Sequence, residues 1–426
     1  MITIYRCGEI PEEEIFARNE ALPDVSGTVA GIIADVKERK DAALLEYTER
    51  FDGVRLSSIR VTDEEFAEAE AKADARMKEV LQKAALAITA FHKEQKRSGF
   101  LLNEKKGVVT GQKVVPLSRV GLYVPGGTAA YPSTVLMDSI PAKIAGVGEL
   151  VMVTPPQKDG KVNPVILLAA KIAGVDAVYK VGGAQAIAAL AYGTETIGRA
   201  DKIVGPGNAY VAEAKRQIYG QAGIDMIAGP SEILIVADGK SNPAYVAADL
   251  LSQAEHDKNA SAVLVTESEA LANAVQEELE RQLKALPREA IARVSVDKNG
   301  KIIVTDSIET AIGISNRIAP EHLELCLDNP FDYLDAVKNA GSVFLGRNCP
   351  EAFGDYMAGP NHTLPTGGTA RFSSPLSVDD FVKKIQYTYF SKEAFLNIAE
   401  DVAYFAEKEG LSAHARSALI RKGELS

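Results

Sequence analysis

The chain has no tryptophan and, in 426 residues, only three cysteines and five histidines. Cys7, Cys326 and Cys349 are an odd set without metal-binding spacing. They read as reduced thiols, which excludes a disulfide scaffold and predicts a cytoplasmic protein. Long apolar runs are also missing. The N-terminal stretch turns acidic at Glu12-Glu13-Glu14, so neither a secretory signal nor a membrane span is expected. No basic cluster offsets the formal charge of −11, and this argues against nucleic acid or an anionic membrane as partner. The dinucleotide fingerprint G-x-G-x-x-G, with an acidic residue about 20 positions later, is absent too. Glycine motifs alone therefore do not indicate a nucleotide.

What is present is a chain longer than one ordinary core, with 46% hydrophobic and 25% charged residues, as in multi-domain globular proteins. The first hundred residues read as helices. Thr62-Asp63-Glu64-Glu65 caps a long one reaching about Gln95, and His92 reads as a solvated histidine on its surface. From Val114 the pattern changes to short β-branched runs followed by helices. Strands at residues 120–124, 149–153, 177–181 and 202–204 alternate with helices, one at about 133–145 and one opened by Asn163-Pro164. The pattern restarts at 233–236 and continues through 262–265, 302–304 and 323–327 to 343–345. Two sets of this grammar predict an α/β fold of two similar Rossmann-like, doubly wound domains with parallel sheets. Helices lie at the N-terminus, and a C-terminal helical arm without strands begins near Val378. The expected division is an N-terminal segment 1–20, a first α/β domain from 21–120 and 231–375, a second from 121–230, and an arm 376–426. Three glycine turns, Pro125-Gly126-Gly127, Gly182-Gly183-Ala184-Gln185 and Gly205-Pro206-Gly207-Asn208, end strands of the second domain. Each by itself serves tight strand-to-helix packing; together they suggest a shared crevice.

Four of the histidines lie in the second half, each near an oxygen-bearing side chain: Gln253 with His256, Glu321 with His322, Asp355 with His362, and Glu409 with His414. Such groups can bind a metal or divide proton transfers. Each also has an ordinary reading. Gln253 and His256, three apart, share a helix face, where the dipole favours a C-terminal histidine. Asp355 sits in a glycine-rich loop and suits a turn. Ser412 can cap a final helix that carries His414 in its first turn. Glu321 and His322 can face one site only if Pro320 makes the strand entry irregular.

Taken together, several segments resemble the histidinol dehydrogenase family. They are VGLYVPGGTAAYPSTVL (120–136), VGGAQAIAALAYGT (181–194), DKIVGPGNAYVAEAK (201–215), AGPSEILIVAD (228–238), DLLSQAEHD (249–257), APEHLEL (319–325), AGSVFLGRNCPEAFGDYMAGPNHTL (340–364) and GLSAH (410–414). They run in order from about residue 115 to the end. The resemblance implies oxidation of L-histidinol to L-histidine via histidinal in two NAD-dependent steps, the last step of histidine biosynthesis. It implies one Zn²⁺ per subunit held by Gln253, His256, Asp355 and His414, with Glu321 and His322 as the proton-transfer pair. Ser231, His362 and Glu409 become substrate contacts alongside those groups, and Tyr123, Gln185 and Asn208 become NAD contacts. The family is a homodimer whose C-terminal arm completes the neighbour's site.

Two other chemistries use similar residues: a dehydrogenase of a sulfonated diol, and a zinc hydrolase in which Glu321 activates water. An acidic contact at Glu409 suits a cationic substrate and repels a sulfonate. Cys326 could form a thiohemiacetal, but its place in an apolar strand favours a buried structural thiol.

Overall fold

The central strands are almost continuous runs of Val, Ile and Leu, as expected when both faces of a parallel sheet are covered by helices. The computed structural model describes residues 1–9, 11–18, 24–126 and 130–423. Gly127 of the first glycine turn and the boundary at residues 20 and 21 lie outside these. The chain forms two units, Met1–Gln95 with Leu117–Phe381, and Lys96–Pro116 with Val382–Ser426.

The larger unit holds two parallel sheets. One is five-stranded, in the order Ala177–Lys180, Glu149–Thr154, Arg119–Tyr123, Lys202–Val204, Gly223–Ile224. Its chain starts in the middle, winds outward one way, then returns to wind the other way. The switch lies between Arg119–Tyr123 and Lys202–Val204, where a crevice opens beyond the carboxyl ends of the strands. The other sheet is six-stranded, in the order Thr3–Arg6, Lys301–Val304, Ser261–Thr266, Glu232–Ala237, His322–Cys326, Ser342–Leu345. Its switch lies between Glu232–Ala237 and His322–Cys326. The α/β fold of two doubly wound parallel sheets is as the sequence led us to expect.

Three local expectations need correction. The N-terminus is not wholly helical, because Thr3–Arg6 pairs with Lys301–Val304 at the sheet edge. The long helix is two, Asp63–Lys72 and Ala75–Lys93; Thr62 forms the capping box, but Asp74 accepts from the N–H groups of Arg76 and Met77 and starts a second helix. The C-terminal part is not strand-free. In the smaller unit, Val382–Phe390 pairs antiparallel with Val108–Pro116, which also pairs with Phe100–Leu102. Helices Lys392–Leu396, Ala399–Lys408 and Ser412–Lys422 follow, with Ala403, Ala406 and Ala415 packed together. Among the described residues no helix is long and apolar enough to cross a membrane.

Candidate active site

The carboxyl edge of the five-stranded sheet carries a cavity of about 1550 Å³ lined by Tyr123, Gly126, Gly183, Gln185 and Asn208. Three residues expected on separate glycine turns thus share one space. Tyr123 ends its strand buried, and its hydroxyl accepts from the Gly183 N–H at 3.1 Å; burial pushes the phenol up to about 12. Gln185 is 1% exposed and its Oε1 has no partner. Asn208 caps the helix Ala209–Ile218 by accepting from Tyr210 and Val211. Its turn begins at Gly205, where φ is +113° and a Cβ would collide with the Tyr123 carbonyl. Only glycine fits there.

In the six-stranded sheet the candidate chemistry lies at the opposite, amino-terminal edge. The helix Ile308–Ile318 stops at Ala319, a non-glycine residue at φ 53°. Pro320 follows, and this sharp entry leaves Glu321 just outside the strand and His322 as its first residue. Both are buried, at 7% and 4% exposure. The backbone of Glu232 orients the two. Its N–H donates to Glu321 Oε2 at 2.8 Å, and its carbonyl lies 3.0 Å from His322 Nδ1. A carbonyl can only accept, so Nδ1 carries the proton and Nε2 keeps a lone pair. That Nε2 is buried and has no partner. Burial lowers the His322 pKa and so favours the neutral ring. Burial also raises the Glu321 carboxyl well above the carboxylate range, and Glu232, Asp355 and Glu351 push the same way.

Asp355 and His362 meet this pair. Asp355 Oδ1 lies 3.9 Å from His322 Nε2 and 3.7 Å from His362 Nδ1. Burial, with Glu351 nearby, pushes Asp355 up to about 8. His362 Nε2 lies 3.3 Å from Thr134 Oγ1, and burial takes its pKa down to about 4. Asp355 is not in a loop as expected: it belongs to the helix Glu351–Tyr356, one turn after Glu351. Ligand atoms of His322, Glu351 and Asp355 lie within 4.8 Å of one another, close enough to share a cation. Gln253, near the end of the helix Pro243–Ala254, is 1% exposed with both amide atoms unpartnered. His256 follows the helix and is exposed at one edge, but protein around the ring lowers its pKa. Ser231 is half-buried immediately before the strand Glu232–Ala237.

Glu409 and His414 lie on the smaller unit, both exposed. Gly410, at φ +76°, ends the helix carrying Glu409. The N-cap of the last helix is Leu411 and not Ser412, and His414 sits in its first turn.

Sequence reasoning missed Glu351 and Glu232. Glu351 is 2% exposed, and its spacing of four from Asp355 was the available signal. Glu232 acts through its backbone, which no side-chain pattern reveals. His92 was misplaced: it is fully buried, with Nδ1 2.7 Å from Gln95 Oε1 and Nε2 3.5 Å from Asn361 Nδ2. Cys326 is buried, and desolvation raises its thiol pKa, as for a structural thiol.

A cavity at a sheet's switch point and a buried base on a second sheet make the class an α/β enzyme. The comparisons with known proteins narrow this. The family model described as histidinol dehydrogenase matches residues 17–422. The chain is 53% identical over 426 residues to a histidinol dehydrogenase of Clostridium acetobutylicum, covering 99% of each chain. It is 55% identical over 410 residues to that of Syntrophotalea carbinolica, covering 96% of this chain and 95% of the relative. A crystal structure of histidinol dehydrogenase from Elizabethkingia anophelis superposes with a TM-score of 0.94 at 41% identity, covering 100% of this chain and 98% of that one. The chain belongs to the histidinol dehydrogenase family.

Proposed function

We propose that this chain oxidises L-histidinol to L-histidine through histidinal, using NAD in both steps and one Zn²⁺ per subunit, as the last step of histidine biosynthesis. The observation that carries this reading is the free Nε2 of His322, a neutral base whose proton-bearing Nδ1 is anchored on a backbone carbonyl. In the first oxidation His322 takes the hydroxyl proton of histidinol. In the second, Glu321, once ionised beside a bound cation, draws a proton from the water that hydrates the aldehyde, and His322 takes the hydrate's hydroxyl proton. The Glu232 N–H keeps one Glu321 oxygen fixed, so the other can serve the water. NAD, when bound along Tyr123, Gln185 and Asn208, supplies the hydride acceptor. The 121–230 domain then acts as the NAD side, with the helices Ser26–Arg39 and Asp41–Asp52 of the 21–120 part lining the same cavity, and 231–375 carries the proton-transfer groups.

Zinc is supported by the chemistry of the donors, while the ligand atoms within reach of one another are those of His322, Glu351 and Asp355. Gln253 offers a buried amide oxygen with nothing to accept from, and Asp355 a carboxylate in the same cluster as His322. With His256, and with His414 from a neighbouring subunit, two nitrogens and two oxygens would hold Zn²⁺. Zinc, when bound, would fix the imidazole and amine of the substrate. Ser231, His362 and Glu409 complete the substrate contacts, and the acidic Glu409 suits a cationic amino alcohol. A homodimer with shared sites follows, with the arm 376–426 reaching across. The setting is the cytoplasm, without nucleic acid or membrane.

The test is NADH absorbance on mixing the protein with NAD and one alcohol at a time. Histidinol should support reduction. A sulfonated diol working in its place would move the chain to the neighbouring substrate class, and hydrolysis without NAD would remove the dehydrogenase reading.

A further inference from the structure

Asp138 is a buried carboxylate that the proposed chemistry does not use. It lies on the helix Pro132–Ala145, is fully buried, and accepts from the Thr363 hydroxyl at 2.7 Å through Oδ1. Its Oδ2 has no partner. That oxygen faces Gly205, where an added Cβ would lie 3.2 Å from it. Gly205 is itself held on both sides. Its N–H donates to Asp225 Oδ2 at 2.8 Å, and its carbonyl accepts from Lys215 Nζ at 3.0 Å. Lys215 is 1% exposed and pairs with Asp225. The turn behind Asn208 is therefore clamped from below by a buried ion pair and closed on its third side by Asp138.

The same helix also holds the segment bearing His362. Thr134 meets His362 Nε2 at 3.3 Å, and the Met137 carbonyl accepts from Asn361 Nδ2 at 2.7 Å. Asn361 Oδ1 accepts from the Thr363 N–H at 2.8 Å, so the loop closes on itself. One turn of helix, Thr134 to Asp138, thus touches both the nucleotide-side turn and the substrate-side loop. Packing alone would be met by an apolar residue, because burying a half-satisfied carboxylate is costly.

We propose that Asp138 and Thr363 are positioning residues that hold the His362 loop in register with the Gly205 turn, and so set the approach of substrate to nucleotide. This rests on the reading of the two sites given above. Small displacements of reacting groups are costly in rate while leaving binding nearly intact.

The test is Thr363→Val, with Thr363→Ser as the conservative rescue. Hydrogen exchange without any ligand is read first. Breaking the link should speed exchange in residues 205–208, across Asp138 from the substitution, and Thr363→Ser should restore it. In turnover with carbinol-deuterated histidinol, Thr363→Val should lower kcat about tenfold or more, with a larger isotope effect and little change in KM. A loss of thermal stability with unchanged exchange in 205–208 and unchanged isotope effect would overturn the link. If Thr363→Val does not fold, Asp138→Ala breaks the same bond and is read identically. Failure of the wild type to reduce NAD with histidinol would refute the proposed function; the exchange result judges the link regardless.

Discussion

Glu321 and His322 are both held by the backbone of a single residue, Glu232. Glu321→Gln should slow oxidation of supplied histidinal by about a hundredfold or more while slowing the histidinol step far less. His322→Asn should harm both steps, since each needs a proton acceptor. Half-reactions followed separately by stopped flow would show this, and equal damage by Glu321→Gln to both would remove the division of labour. A second residue-scale test concerns Asp138, which burial pushes from 3.8 up to about 7. A carboxyl with a raised folded pKa holds its proton in the native state while the unfolded chain loses it. The native state therefore loses stability as pH rises from about 4 to about 7. Asp138→Asn should flatten that part of the stability curve measured by urea unfolding; the same slope in both proteins would contradict it. Part of this scale was legible: histidines beside oxygen-bearing side chains marked His322, Asp355 and His362, which lie together, whereas their separate roles came from the family resemblance. His92 was not legible. Lys93 and Glu94 beside it are charged, and one of its partners, Asn361, lies 269 residues away in the chain.

Elements follow the same division. The strands of both parallel sheets could be read because burial on both faces demands unbroken β-branched runs. Val382–Phe390 was overlooked although Ile385, Tyr387 and Tyr389 alternate, because Lys383, Lys384 and Gln386 give it a polar composition. Its partner strand lies over 260 residues earlier, and an antiparallel pair that distant leaves no local turn signal. The break at Asp74 was hidden by continuous Ala, Glu and Lys on both sides. The most exacting element is the turn at Gly205, where the backbone is left-handed and the Tyr123 carbonyl blocks a side chain. Gly205→Ala should destabilise the protein by about 2 kcal/mol or more, seen as a lower urea midpoint, and should weaken NAD binding. Wild-type stability and NAD affinity in that variant would show that the turn tolerates a Cβ.

For the whole molecule, exposed Ile398, Val402, Phe405 and Leu411 give the smaller unit an apolar face, and a second copy of the chain is the partner proposed for it. His256→Ala and His414→Ala should each be inactive. In their heterodimer one site would carry both lesions and the other neither, so about half of the activity should return. Purified heterodimers that stay inactive would mean that each arm serves its own subunit. The parallel sheets bring their own cores, so removing metal should stop turnover without unfolding the chain. The most direct measurement is therefore the yield of NADH per histidinol by the purified protein, before chelation, after it, and after Zn²⁺ is returned. About two NADH per histidinol are expected, with histidine as product. Chelation should abolish turnover with helical circular dichroism retained, and zinc should restore it. A yield of one NADH with histidinal accumulating, or full activity after chelation, would contradict the proposed function.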